Sequence, residues 1–225
     1  MLANVGFSGQ LQATAPPMHK SRIMGKSKTI KVLYLHGMGS SGQTTTAQRL
    51  DRSLPGGYEV VAPDIPVQPE LALTMLKKLA ETLSPDDIIV GTSMGGMYAQ
   101  LFHGWRRFLI NPSFHTSVHL KENIGKRMPF HTPRRDGAPD YEVTAKLVKK
   151  FESMEAKQFD PKFGISNGRK DSPELVTAFF GTRDTVVNCK HEYLQHYTQY
   201  HDFDGEHRLD PDTLIKLVIP AITGS

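Results

Sequence analysis

DDIIVGTSMGG, residues 86–96, is the stretch that decides the fold. Two aspartates lead into the apolar run Ile88-Ile89-Val90, which reads as a strand. The run breaks at a glycine-rich turn, and MYAQLFHG (97–104) follows as a helix closed by Gly104. Between them stands Gly91-Thr92-Ser93-Met94-Gly95, a G-x-S-x-G pattern. Its spacing has a steric meaning. A serine on a sharp strand-to-helix turn lifts its hydroxyl above a sheet, and side chains two residues before and after it would collide unless small. Gly91 and Gly95 meet that demand, so Ser93 is a candidate nucleophile. The plainer alternative is an ordinary glycine-rich turn.

Outward from this turn, apolar runs alternate with amphipathic stretches. KVLYLHG (31–37), YEVVAPDIP (58–66), RRFLINPS (106–113), LVTAFFGTRD (175–184) and TQYHDFDGEH (198–207) read as further strands. Helical character follows in SGQTTTAQRLDRSL (41–54) and PELALTMLKKLAETL (69–83). In the second, Leu71, Met75, Leu76, Leu79 and Leu83 share a stripe at the 3.6-residue period. DPDTLIKLVIPAI (210–222) closes the chain as a helix, with Asp210 as its cap and Pro211 at its first position. Strands that are apolar throughout, alternating with helices, imply a parallel sheet covered on both faces. The expected fold is α/β: a doubly wound, mostly parallel sheet of about six strands.

Residues 114–172 interrupt the alternation. They are rich in proline, glycine and charge and show one clear helix, within 139–159, where Val143, Leu147, Phe151 and Met154 form a stripe. So long a connection is uncommon in a compact domain unless it acts as a lid or binding segment, and it is read as a cap insertion. The organisation expected is a loose tail over 1–28, in which Met24 is an alternative start, and one domain over 29–225.

The whole-chain charge of +4 recurs within 113–172, which holds 12 Lys and Arg against 8 Asp and Glu. That is a solvated basic surface, or a weak attraction for anionic substrates. It lacks the dense basic stripe with stacking aromatics of a nucleic-acid binder. Cys189 is the single cysteine, so no disulfide forms within the chain. With no signal-peptide pattern at the start and no apolar run long enough to span a membrane, a reducing, cytoplasmic setting is expected.

A serine hydroxyl needs a base, and the base an orienting carboxylate. In chain order after Ser93, the next strand to end in a carboxylate offers Asp184, and the segment after the following strand offers His207. Both fall at C-terminal strand ends, where open parallel sheets bind ligands. Asp184 also suits a simple turn, and His207 a surface or capping role. His201 is the rival base, while Asp202, Asp204 and Glu206 are rival acids. The same histidines and aspartates match no metal-ligand spacing.

GMGSSGQT (37–44) carries the remaining question. It fits the phosphate-binding P-loop except that Gln43 stands in place of the lysine. Acyl transfer through a serine, however, needs backbone N–H groups waiting for an oxyanion. One belongs to the residue after the nucleophile, Met94; the other is assigned to Met38, flanked by Gly37 and Gly39. The loop is read as serving an oxyanion. A nucleotide-binding protein using Gly37–Thr44 is the alternative, and a non-catalytic scaffold of the same fold is a third.

HGMGSS, GTSMGG, GTRD and GEH, taken together in this order, resemble the α/β-hydrolase superfamily, and more narrowly the small bacterial predicted esterases of the YqiA/YcfP type. The resemblance frames residues 30–222. It implies a hydrolase that uses Ser93, His207 and Asp184 on small carboxylic esters or thioesters without a cofactor or metal, beneath a cap formed by the insertion. The sequence departs from the full-length family pattern in a reduced sheet and in the short interval of 23 residues between the acid and the base.

Overall fold

The computed structural model describes Met1 and residues 29–225; the tail expected over 1–28, with Met24, otherwise lies outside the described residues. The elements in chain order begin with β1 (Ile30–Leu35), α1 (Thr45–Ser53), β2 (Tyr58–Val61), α2 (Pro69–Ala80), β3 (Ile88–Thr92) and α3 (Met94–Gln100). Then come β4 (Phe102–His103), β5 (Arg106–Ile110), α4 (Thr116–Lys121), β6 (Arg127–Pro129), β7 (Asp140–Glu142) and α5 (Ala145–Glu155). The last are β8 (Ile165–Ser166), β9 (Val176–Gly181), α6 (Lys190–Tyr193), β10 (Gln199–Phe203), α7 (Pro211–Thr213) and α8 (Ile219–Thr223).

Six strands form one sheet in the order β10-β9-β5-β3-β1-β2, and every pairing in it is parallel. The fold is the α/β one expected. The chain steps from β1 outward to β2, then crosses back so that β3 lies on the other side of β1. That reversal makes the C-terminal ends of β1 and β3 a topological switch point, where open α/β sheets form their clefts.

Alternate residues of the central strands enter two separate cores. Val32, Ile88, Val90, Phe108 and Ile110 pack under α1 and the C-terminal helix. Leu33, Leu35, Ile89 and Leu109 pack under α2, α3 and the 114–172 segment. Burial on both faces explains why these strands read as continuous apolar runs rather than alternating ones. Each fully buried aliphatic side chain contributes roughly 1.5–3 kcal/mol.

Several expectations of detail are corrected. The helix expected over 97–104 ends at Gln100, and Phe102–His103 pair instead with Ile165–Ser166. The α2 stripe is rotated: Ala72, Leu76 and Ala80 face the core, whereas Leu71 is 60% exposed. Leu71 lies five residues, about 140° of helix, from Leu76. The alanines allow the helix to sit close to the sheet, so small residues centre its buried face.

The closing helix is not uniform. Leu214–Val218 form a π turn in which the Ile219 N–H reaches Leu214 O. Pro220, which follows, has no N–H to continue the regular ladder. The 114–172 segment holds more than one helix: α4, the β6–β7 hairpin and α5 all belong to it. Val143, Leu147, Phe151 and Met154 are buried together there, in the core that covers one face of the sheet. Among the described residues no helix is long and apolar enough to cross a membrane.

Candidate active site

The turn after β3 is under strain and tightly held. Ser93 adopts φ 55° and ψ −122°, a region that non-glycine residues seldom occupy. Its N–H donates to Ile110 O, and its carbonyl accepts from Gly96 N at 2.8 Å and Ser113 N at 3.0 Å. The flanking glycines are sterically required. A Cβ at Gly91 would lie 2.1 Å from Gly95 O, and one at Gly95 would lie 2.0 Å from Leu35 O. Both obstacles are backbone, so neither can swing aside.

Across the switch point, the chain leaving β1 presses on this turn. A Cβ at Gly37 would stand 3.2 Å from Ser93 Cβ. Met38, the residue after Gly37, and Met94, the residue after Ser93, both line the cavity above this turn. Met94 is the first residue of α3, so its N–H has no acceptor within the helix.

On the other side stands His207. Its Nε2 lies 3.1 Å from Ser93 Oγ, and its Nδ1 lies 2.8 Å from Asp184 Oδ2. Strand pairing produces this meeting. In the β9–β10 register Phe203 sits beside Gly181, and the loops beyond are zipped by Thr182 N to Phe203 O and Arg183 N to Gly205 O, both 2.9 Å. Asp184 also makes the turn foreseen for it, because its Oδ1 accepts from the N–H groups of Val186 and Val187. One carboxylate oxygen thus shapes the loop and the other holds the imidazole.

Three of the four rivals are engaged elsewhere. His201 stacks on Phe179, Asp202 pairs with Lys190, and Asp204 pairs with Arg183. Among the described residues no group of three His, Cys, Asp or Glu side chains is arranged to hold a metal ion. The Cys189 thiol is buried, and its pKa is pushed up by that burial.

Two residues of the site escaped the reading of the sequence. His36 is buried, its Nδ1–H donates to Gly37 O at 2.8 Å, and its Nε2 accepts from Ile65 N at 2.9 Å. Those roles define a neutral ring, and burial lowers its pKa to about 4. Asn111, at φ 42°, donates from Nδ2 to the carbonyls of Glu206 and His207 and accepts from Gly181 N. The available signal was an Asn at a strand end, the residue type enriched at positive φ.

The stretch with P-loop character is already occupied by the protein's own groups. Gly42 N donates to Asp64 Oδ1 at 2.7 Å, Gln43 N donates to Ser41 Oγ, and Thr44 Oγ1 caps α1. A carboxylate stands where a phosphate would have to bind. Gly42 is required for packing, since a Cβ there would lie 2.0 Å from Ala62 O.

Above Ser93 opens a cavity of about 580 Å³. One side is walled by Leu120, Met128, Tyr141 and Val143 of the 114–172 segment, and the other by Tyr34, Thr45, Thr46 and Leu209. Residues 31–211 match the profile of the uncharacterised protein family UPF0227. The chain belongs to that family. No curated protein is significantly similar to this UPF0227 chain in sequence.

Solved structures resemble its fold. The monoacylglycerol lipase of Paleococcus ferrophilus superposes with a TM-score of 0.59 at 13% identity, over 88% of this chain and 96% of the lipase. Mouse α/β hydrolase domain-containing protein 10 gives 0.58 at 14%, over 88% and 90%. The thioesterase domain from the curacin biosynthetic pathway gives 0.52 at 13%, over 88% and 92%. The UPF0227 chain thus has the α/β-hydrolase fold.

Proposed function

We propose that this protein is a serine hydrolase of carboxylic esters or thioesters, acting through an acyl-enzyme on Ser93. The observation that carries the reading is the placing of one imidazole, 3.1 Å from a serine oxygen and 2.8 Å from a carboxylate. With Nδ1–H donating to Asp184, the lone pair of Nε2 faces Ser93. The carboxylate then stabilises the imidazolium that forms when the serine proton arrives.

Ser93 Oγ bonds to the acyl carbon as its proton passes to His207 Nε2. The former carbonyl oxygen becomes an oxyanion, held by the N–H groups of Met38 and Met94. Collapse breaks the C–O or C–S bond, and the leaving group takes the proton from Nε2. A water then gives a proton to Nε2 and bonds to the acyl carbon. The second collapse breaks the Oγ–C bond, returns that proton to Oγ and frees the acid. Substrate and water supply every atom, so the cycle calls for no cofactor.

The 114–172 segment acts as a cap whose apolar wall receives part of the substrate. Lipase and thioesterase, the activities named for two of the structural relatives, belong to this reaction class. Nucleotide binding at Gly37–Thr44 is disfavoured by the Asp64 carboxylate seated in the loop.

A fluorophosphonate probe tests the reading. It should label Ser93 in the folded protein and fail on Ser93→Ala, whose turnover of p-nitrophenyl butyrate should fall by roughly 10⁴-fold or more. Retained turnover in Ser93→Ala would remove Ser93 from the mechanism. A folded wild type that neither labels nor hydrolyses would be a scaffold.

A further inference from the structure

The cavity above Ser93 is lined by residues from both faces of the sheet. Met94, Leu120 and Val143 on one side belong to the core beneath α2, α3 and α5. Tyr34 and Leu209 on the other belong to the core beneath α1 and the C-terminal helix, and Thr45, Thr46 and Arg208 line the cavity with them. These two sets of wall residues are the two lobes of the cavity, and Ser93 and His207 line it with them.

The charge on the walls has one sign. Among the described residues that line the cavity there is no carboxylate, whereas the guanidinium of Arg208 is present. Arg208 is exposed and makes no hydrogen bond or ion pair with any described residue. Its neighbours Glu206 and Asp210 do not line the cavity, and Asp210 caps α7. Asp184 is covered by His207, its side chain 4% exposed.

Chemistry assigns the lobes. In the proposed reaction the departing oxygen or sulfur takes its proton from His207 Nε2, so the leaving group must extend past His207. Arg208 follows His207 in the chain and lines the cavity, as do Thr45 and Thr46. A guanidinium fork with hydroxyl donors around it suits a tetrahedral oxyanion such as phosphate. Walls free of carboxylates also concentrate anions at the mouth.

We infer that the substrate's leaving group carries a phosphate, which Arg208 engages while an apolar acyl group occupies the lobe of Leu120 and Val143. The inference rests on the serine-hydrolase reading and deepens it. Two kinds of molecule have this chemistry: a thioester of a phosphate-bearing carrier, and an ester of a phosphorylated alcohol.

Two substrate pairs separate these sources. Butyryl-coenzyme A is compared with butyryl-N-acetylcysteamine, and 1-butyrylglycerol 3-phosphate with 1-butyrylglycerol, in the wild type, Arg208→Gln and Arg208→Glu. The phosphate-bearing member of at least one pair should have the higher kcat/KM, and that preference should fall with added salt. Arg208→Gln should cut the preference roughly five-fold, chiefly through KM, and Arg208→Glu should cut it further. The pair that responds identifies the source. Hydrolysis of the neutral substrates with both ratios insensitive to residue 208 overturns this inference alone. A wild type inert to all four and to the fluorophosphonate overturns the hydrolase reading and this one with it.

Discussion

The imidazole of His36 grips the carbonyl of Gly37, with Nδ1 2.8 Å from the oxygen. In a trans peptide the C=O and the following N–H point in opposite directions. Drawing the Gly37 carbonyl toward the buried ring therefore turns the Met38 N–H the other way, on the loop that abuts Ser93. A backbone donor is thereby oriented by a side chain that never reaches the cavity.

Replacing His36 should accordingly damage turnover more than binding. His36→Leu is expected to lower kcat by about 10–100-fold with little change in KM, less than the roughly 10²–10³-fold lost when an oxyanion donor is removed outright, because the Met38 N–H is misdirected rather than deleted. His36→Asn, whose amide N–H approximates Nδ1–H, should recover part of it. Steady-state kinetics on p-nitrophenyl butyrate provide the check.

The same ring makes stability depend on pH. Folding lowers its pKa from 6.5 to about 4, so the unfolded chain binds more protons between those values. Stability contributed by the neutral ring is complete above pH 6.5 and is lost as pH falls toward 4, amounting to about 3 kcal/mol. Urea unfolding of wild type and His36→Asn across that window should show a steeper fall in the wild type. Parallel curves would mean that His36 is not held neutral.

Asp184→Asn separates the two tasks of this residue. The amide oxygen can still accept from Val186 and Val187, while an NH₂ group facing His207 forces Nδ1 to accept and directs Nε2–H at the serine. The expected result is a loss of roughly 10³–10⁴-fold in kcat with stability nearly unchanged. Asp184→Ala should lose the loop as well, seen as a lower urea midpoint.

Asn111 ties the end of β9 to the carbonyls of Glu206 and His207. Asn111→Ala removes three hydrogen bonds at a backbone already at positive φ. It should cost about 2–4 kcal/mol by chemical denaturation and lower kcat as His207 loosens. Asn111→Asp keeps the acceptor for Gly181 but sets a carboxylate against two carbonyls, so it should recover neither quantity.

Gly95→Ala drives a methyl into the Leu35 carbonyl, and destabilisation of about 3 kcal/mol or more is expected. Gly56→Ala, where a Cβ meets nothing within 4 Å, should be nearly silent. Similar urea midpoints for the two would contradict the crowding at the turn.

What the sequence determined by itself is whatever neighbours in the chain impose on one another. The apolar runs set the strands, Gly91 and Gly95 set the turn around Ser93, and the order of Ser93, Asp184 and His207 was legible because each follows a strand. Tertiary structure decided the rest. The Asp184–His207 contact depends on the β9–β10 register, the inward face of α2 on how near its alanines let it approach, and the parts played by His36 and Asn111 on partners in other elements. Steric limits act over a few bonds and leave a local pattern. A hydrogen bond from Asn111 to the His207 carbonyl joins residues 96 apart, and only the packed sheet brings them within reach.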